Sequence, residues 1–214
     1  GLGDVDGDGD LDYVHGPTGS AQIRLWLNNG SGVFTDGGVI GQTRISRAIL
    51  LGDFDSDGDL DLTVVGSDAG VSQKCELFGN DGAGIFAVRE TSPIPCSSLA
   101  TAQAAGDIDR DGDLDLATGG AWYENLGGSF AAGQAVLEGS PVAELADMDG
   151  DGDLDAVTSR SSPGSVSWIE NGGAGTGWTY QGGGIALPGA VDVVAVDSNR
   201  DGAMDLIGVG SSSV

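Results

Sequence analysis

The sequence predicts an all-β chain built from repeated four-stranded antiparallel units. Three observations predict it. An aspartate-rich segment recurs five times, the same order of short strands and Asn/Gly turns follows each copy, and no window holds a sustained 3.6-residue period. The copies GDVDGDGDLD (3–12), GDFDSDGDLD (52–61), GDIDRDGDLD (106–115), ADMDGDGDLD (146–155) and VDSNRDGAMD (196–205) align without gaps. Their first aspartates, Asp4, Asp53, Asp107, Asp147 and Asp197, are 49, 54, 40 and 50 residues apart. That period is one supersecondary unit.

The elements of a unit follow in order. After the loop comes a short apolar strand, as in LDLTVV (60–65), LDLAT (114–118) and LDAVT (154–158). A second strand reads IRLWLNNG, CELFGNDG, AWYENLGG or VSWIENGG, aligned on Asn28, Asn80, Asn125 and Asn171. It closes in a Gly-bearing hairpin turn, because Asn and Gly tolerate the positive φ such turns demand. An aromatic residue, Phe34, Phe86, Phe130 or Trp178, opens the third strand, and a fourth, as in SRAILLGD or ATAQAAGD, runs into the next loop. Four short strands per period are the sequence form of a propeller blade. The predicted fold is a β-propeller or an open arc of four-stranded blades, with DxDxDGxxD loops between successive strands. The competing repeat architecture, a parallel β-helix, suits antiparallel Asn/Gly hairpins poorly. The units run approximately 1–45 (lacking its first strand), 46–98, 99–139, 140–188 and a truncated 189–214, all within one repeat domain.

Composition agrees. The 40 glycines, 6 prolines and 39% apolar content fit many tight turns between short strands and exclude a collagen-like or disordered chain. No apolar run reaches the ~20 residues of a membrane span. Gly1 opens the chain without a signal-like segment, which implies a processed protein or an excised piece. The net charge of −25 argues against nucleic acid and anionic membranes as partners. Of the 33 acidic residues, 23 lie in the five loops. Such clustering organises the charge as sites, and five divalent cations would bring −25 to −15.

In each nine-residue loop, carboxylates at positions one, three, five and nine converge because Gly at position six lets the backbone turn sharply. All-oxygen, carboxylate-rich ligation suits Ca²⁺, which accepts irregular shells, better than Mg²⁺. The first loop offers Asp4, Asp6, Asp8 and Asp12 with the Asp10 carbonyl; the second Asp53, Asp55, Asp57 and Asp61 with Asp59. The third offers Asp107, Asp109, Asp111 and Asp115 with Asp113, and the fourth Asp147, Asp149, Asp151 and Asp155 with Asp153. The fifth uses Asp197, Asn199, Asp201 and Asp205 with Ala203, and having one formal charge fewer it is expected to hold its ion most weakly. About five calcium ions are expected. Without them, four carboxylates within nine residues would repel one another strongly. The loops are not helical EF-hands, because position twelve is His15, Val64, Thr118, Thr158 or Gly208 rather than Glu. At position eight, Leu11, Leu60, Leu114, Leu154 and Met204 are expected to anchor the loops to the core. Sites repeated on loops that join strands read as structural staples coupling metal binding to folding.

The DxDxDGDLD loop, the WYEN or LWLNN strand and the GxF restart together resemble the FG-GAP/VCBS repeats of integrin α-subunit propellers and of many secreted bacterial proteins. The resemblance covers essentially the whole chain. It departs in number: such propellers commonly have about seven blades, whereas three complete units and two partial ones stand here. The resemblance implies an extracellular, secreted or cell-surface calcium-binding module, without enzyme activity, for adhesion or recognition of a protein or glycan ligand. Two alternatives remain: a non-catalytic propeller segment of a larger secreted carbohydrate-active enzyme, and a structural subunit whose incomplete terminal blades pair with neighbouring copies as a homo-oligomer.

Other residues carry smaller expectations. Cys75 and Cys96, the only cysteines, lie at the blade end opposite the loop; they form a disulfide suited to an oxidising exterior, or are two buried thiols. His15, the only histidine, is expected to fill a turn, and no Ser-His-Asp set or glycosidase carboxylate pair can be nominated. Trp26, Trp122, Tyr123, Trp168, Trp178 and Tyr180 are candidate stacking platforms. Trp122 and Trp168 share one repeat position and Trp26 and Tyr123 the next, so one set is expected to face inward. The loops at 42–46, 67–74, 92–98 and 159–165 vary most between units and are candidates for binding specificity.

Overall fold

A computed structural model describes residues 1–16, 22–41, 45–67, 74–89, 94, 102–136, 142–160, 164–182 and 184–210. It is all-β. The sheets are β1 (Leu2–Gly3), β2 (Asp12–His15), β3 (Ile23–Asn28) and β4 (Phe34–Gly41); β5 (Ile45–Gly52), β6 (Asp61–Ser67), β7 (Lys74–Asn80) and β8 (Phe86–Val88); and β9 (Gln103–Gly106), β10 (Asp115–Thr118), β11 (Ala121–Tyr123) and β12 (Gln134–Ala135). A fourth holds β13 (Val142–Ala146), β14 (Asp155–Arg160), β15 (Ser165–Glu170) and β16 (Thr179–Tyr180), with β17 (Ile185–Ala186) also on β15; a fifth pairs β18 (Ala190–Val196) with β19 (Asp205–Gly210). Every pairing is antiparallel and, apart from β17 on β15, follows chain order, the meander of a propeller blade. A two-residue leading strand, β1, opens the first sheet, where the sequence suggested none.

Each aspartate loop joins the first two strands of its sheet. The strand leaving the loop begins at the position-nine aspartate, paired with the residue just before the loop: Asp12 with Gly3, Asp61 with Gly52, Asp115 with Gly106, Asp155 with Ala146. Backbone pairing therefore closes every loop at its base. The strand after the loop is buried along its length in β6 and β10. Both of its faces are covered, which is why LDLTVV and LDLAT read as near-continuous apolar runs rather than alternating ones.

The chain divides into two compact units, Gly1–Thr101 with Asn125–Phe130, and Ala102–Glu124 with Ala131–Val214. In the first, Val5, Val14, Ile23, Leu25, Leu62, Val64 and Phe78 pack one sheet against the next. In the second, Ile108, Ala117, Trp122, Val142, Ala156 and Ile169 form one core, and Ala146, Val157, Val166, Ala190 and Val193 another. The outer strands carry less: on the last sheet Val191, Val194, Ile207 and Val209 are exposed.

Inside each unit a side chain latches one repeat to an earlier one. Asn80 Nδ2 donates to the Val5 carbonyl (2.8 Å), Asn125 Nδ2 to Phe54 (2.7 Å) and Asn171 Nδ2 to Ile108 (3.1 Å). The donor is always the hairpin asparagine; the acceptor is always position two of the preceding loop. Asn80 and Asn171 also donate to the position-eight carbonyl of their own loops, Leu60 and Leu154. These asparagines are buried, so the bonds are shielded from water. Replacing Asn171 with alanine leaves the Ile108 carbonyl buried without this donor and is predicted to lower the unfolding free energy by about 2 kcal/mol, the usual cost of a broken buried hydrogen bond. Urea unfolding of the variant beside the parent protein measures it.

Candidate metal centres

The nine-residue loops share four hydrogen bonds, and all five loops make all four. The position-one carboxylate accepts from the position-six N–H at 3.0 or 3.1 Å. The position-three side chain accepts from the position-five N–H at 2.9 to 3.3 Å, and the position-five carboxylate from the position-seven N–H at 2.8 to 3.0 Å. The position-nine carboxylate accepts from the position-two N–H at 2.9 to 3.2 Å. Short acidic side chains that bond their own backbone in this way curl the chain around a common centre.

Two positions take left-handed backbone. Position six, always glycine, has φ between 90° and 102°, beyond what other residues adopt cheaply. Position four is also left-handed, including three residues with a Cβ: Ser56 (59°), Arg110 (66°) and Arg200 (64°). The sequence pointed to the glycine and gave no sign of the second site, since its residue type varies.

Asp12, Asp61, Asp115 and Asp155 at position nine are fully buried. Their second oxygen ties the loop to the hairpin: Asp12 accepts from the backbone N–H of Asn28 (2.8 Å), Asp61 from Asn80 (2.9 Å) and Asp155 from Asn171 (2.8 Å). Burial dominates the titration of Asp61 and Asp155. It raises Asp61 and pushes Asp155 up to about 6, against the pull of those N–H donors and with help from neighbouring carboxylates. Burial and then the other loop carboxylates likewise raise Asp6 and Asp109. In the fifth loop Asp201 is lowered instead, by the Ala203 N–H and the Asn199 amide.

Carboxylates converge in four loops. Oxygens of Asp4, Asp6 and Asp8, of Asp53, Asp55 and Asp57, of Asp107, Asp109 and Asp115, and of Asp147, Asp149 and Asp155 lie within 4.8 Å of one another. Several clusters could thus hold metal ions. The donor set is oxygen alone, which matches a hard divalent cation. Asp107 adds a sharper sign: its Oδ1 is buried and has no hydrogen-bond partner, a costly state for a carboxylate that a cation would relieve. In the fifth loop the Asn199 amide donates to Asp201 (3.0 Å) and the Ser198 hydroxyl bonds Asp205. Two acceptors are already satisfied there by uncharged groups, and among the described residues this loop forms no such triad.

Three position-seven side chains, those of Asp10, Asp59 and Asp153, have neighbours outside the clusters. A Cβ on Gly30 would meet the Asp10 carboxylate, and one on Gly82 the Asp59 carboxylate, so these aspartates lie against the hairpin glycines of their own blades. Asp153 instead takes the Arg110 guanidinium at 2.8 Å.

Three expectations need correction. Position eight anchors only in part: Leu60 and Met204 pack against the core, but Leu11 is 58% exposed, whereas Val5, Phe54 and Ile108 at position two are fully buried. Leu60 and Leu154 serve another purpose, sitting on Gly3 and Gly106 just ahead of the preceding loop, where a Cβ would collide with them. The tryptophan sets do not separate either, because Trp122 and Tyr123 are both buried while Trp26 and Trp168 are half-buried; β11 is covered on both faces. The Trp122 and Trp178 indoles both donate to the Gly175 carbonyl, at 3.1 and 2.8 Å. Trp168 lines a cavity of about 300 Å³ with Met148, Val166, Ile185, Met204 and Leu206. His15 ends strand β2 rather than filling a turn, stacked on Tyr13 with ring centres 5.9 Å apart.

Cys75 is buried and disulfide-bonded; its expected partner Cys96 lies outside the described residues. So do 42–44, 68–73, 92–93, 95–98 and 161–163, most of the segments expected to carry specificity. Among the described residues no helix is long and apolar enough to cross a membrane.

The family of FG-GAP-like repeats matches residues 4–64, 53–118 and 147–208. The chain belongs to that family. Each matched stretch of the FG-GAP-like chain runs from the first aspartate of one loop to the strand after the next, so the loop-to-loop period is the unit of resemblance. No curated protein matches the sequence. Among solved structures it is similar to CoXyl43, a GH43 β-xylosidase/α-arabinofuranosidase from a compost microbial metagenome, solved with xylotriose in a calcium-free form. The TM-score is 0.55 at 14% identity, over 90% of this chain and 81% of that one, a likeness of fold.

Two predictions follow from the FG-GAP loop geometry. Gly58→Ala forces a Cβ onto a backbone at φ 96° and is predicted to cost about 1 to 3 kcal/mol, while Arg200→Gly relieves left-handed strain and changes stability by less than about 1 kcal/mol; urea titration of both variants checks the contrast. The second concerns pH. Asp155 holds a proton up to about 6 in the folded chain and only to about 4 as an ordinary unfolded aspartate. The cation-free fold therefore binds more protons than the unfolded chain across that window, and its stability falls as pH rises through it. Urea midpoints in chelator at about pH 4 and about pH 7 are predicted to rank in that order, and saturating calcium to reverse them.

Proposed function

We propose that the chain is a non-enzymatic, extracellular calcium-binding repeat module for adhesion or recognition of a protein or glycan ligand, with calcium stapling its blades. The observation that carries this reading is the set of four carboxylate clusters together with the unpartnered buried oxygen of Asp107. Positions one, three, five and nine would hold the ion, with the position-seven carbonyl completing the shell. Calcium would supply positive charge where several carboxylates crowd, and would tie the base of each loop to the strand leaving it. The disulfide at Cys75 supports an oxidising compartment outside the cell. Recognition would fall to the variable segments opposite the loops and to the accessible aromatics Trp168 and Tyr180.

A second reading is favoured by one observation, the likeness to CoXyl43. On it the chain is a non-catalytic propeller segment of a secreted carbohydrate-active enzyme, and its ligand is a plant-type glycan such as a xylan fragment.

Thermal unfolding in calcium and in chelator tests the staple. Each site is predicted to contribute about 2.7 kcal/mol at hundredfold excess over its Kd, so chelation should lower Tm by many degrees; an unchanged Tm would remove calcium from the account. Glycan-array binding in calcium and in chelator separates the two readings. Binding confined to xylan-type glycans favours the enzyme segment, whereas binding to other glycans or to extracellular proteins favours adhesion.

A further inference from the structure

We propose that Arg89 is a resident counter-ion of the second loop, which makes that loop the weakest of the four clustered calcium sites and the least dependent on calcium. This rests on the calcium reading above. The Arg89 guanidinium contacts the Asp55 carboxylate through Nη1 and lies 3.9 Å from Asp57 Oδ2 through Nη2. Asp55 and Asp57 are two of the three residues whose oxygens converge in that loop. The Asp55 side chain is 8% exposed and that of Arg89 36%, so the carboxylate end of the pair sits largely out of water, where a countercharge acts more strongly than in bulk solvent.

The seat of Arg89 is built for it. Its backbone N–H donates to the Leu77 carbonyl at 3.0 Å, fixing where the side chain leaves the sheet. The stem crosses Gly79, where any Cβ would overlap it. The head passes Gly128, where a Cβ would stand 3.0 Å from both Arg89 Nη1 and Asp55 Cβ. Two glycines thus clear the path of one long side chain, from strand β7 to the aspartates of the loop.

Among the described residues the other loops show no such ion pair on a clustered aspartate. Arg89 stands three residues after the strand-opening aromatic Phe86; the corresponding residues after Phe34, Phe130 and Trp178 are Gly37, Gly133 and Gln181. Arg110 binds Asp153, whose side chain is in none of the four clusters. Among the described residues, the second loop is therefore the one whose cluster is charge-compensated from within the chain. A guanidinium and a divalent cation compete for the same carboxylate oxygens, so calcium must displace or share Asp55 at a cost the other loops do not bear.

Peptide-resolved hydrogen exchange of the whole chain across a calcium titration reads each loop separately. The second loop of the parent protein is predicted to become protected at a higher calcium concentration than the first and fourth. Arg89→Met keeps the stem on Gly79 and removes the charge; it should shift protection of the second loop to about tenfold lower calcium, leave the first and fourth unchanged, and speed exchange of the second loop in chelator. Arg89→Lys, which keeps a positive charge, should retain most of the parent midpoint, and carries the test if the methionine variant fails to fold. A second loop whose midpoint is unmoved or raised in Arg89→Met, or moved by Arg89→Lys as far as loss of the charge would move it, overturns the proposal while leaving calcium binding intact. If calcium protects no loop, the calcium reading falls and this one with it.

Discussion

A buried carboxylate at the ninth loop position holds the architecture together. One oxygen of Asp12, Asp61 and Asp155 receives the N–H at the start of the loop, and the other receives the N–H of the hairpin asparagine. Loop entry, loop exit and hairpin meet at a single side chain. Because the same asparagine reaches back to the preceding loop, the tie passes from repeat to repeat within each compact unit. Bringing an ionised group into that position is costly, as the raised Asp61 and Asp155 show. The fold tolerates it because backbone donors, and in the present account a divalent cation beside it, favour the charged form.

Negative charge and tight backbone curvature are two sides of the same design. The side chains that crowd at the loop centre are also the acceptors that curl the chain around it, and the neutral Asn199 of loop five keeps the same bond to the Asp201 N–H, so the curl needs the acceptor rather than the charge. Loop five illustrates the alternative. Asn199 and Ser198 satisfy Asp201 and Asp205 by hydrogen bonds, and convergence of carboxylates is lost together with the charge. Loop two illustrates a third solution, in which an arginine from the adjacent hairpin strand supplies the missing positive charge.

The sequence carried the repeat, the strand order and the loop positions, because each is a local pattern: alternation, turn residues and a fixed spacing of aspartates. It also marked Asn28, Asn80, Asn125 and Asn171, but only as turn formers. Their latching role joins Asn80 to Val5 and Asn171 to Ile108, residues far apart in sequence, and no local rule exposes it. For the same reason the anchor was assigned to position eight, where leucine is nearly constant, although position two is the more deeply buried in the first three loops. Position two varies among Val, Phe, Ile, Met and Ser, so its burial in the first three loops was hidden by differing identities. The aromatic sets failed because alternation separates faces only when one face meets water, and β11 is covered on both sides.

A divalent ion in each carboxylate cluster is what would make the crowded charge tolerable. Native mass spectrometry of the folded chain, desalted into calcium-containing volatile buffer, counts such ions directly. At least four calcium adducts, lost together with compact charge states when chelator is added, are predicted. A folded chain that carries no specific calcium at any concentration would contradict it.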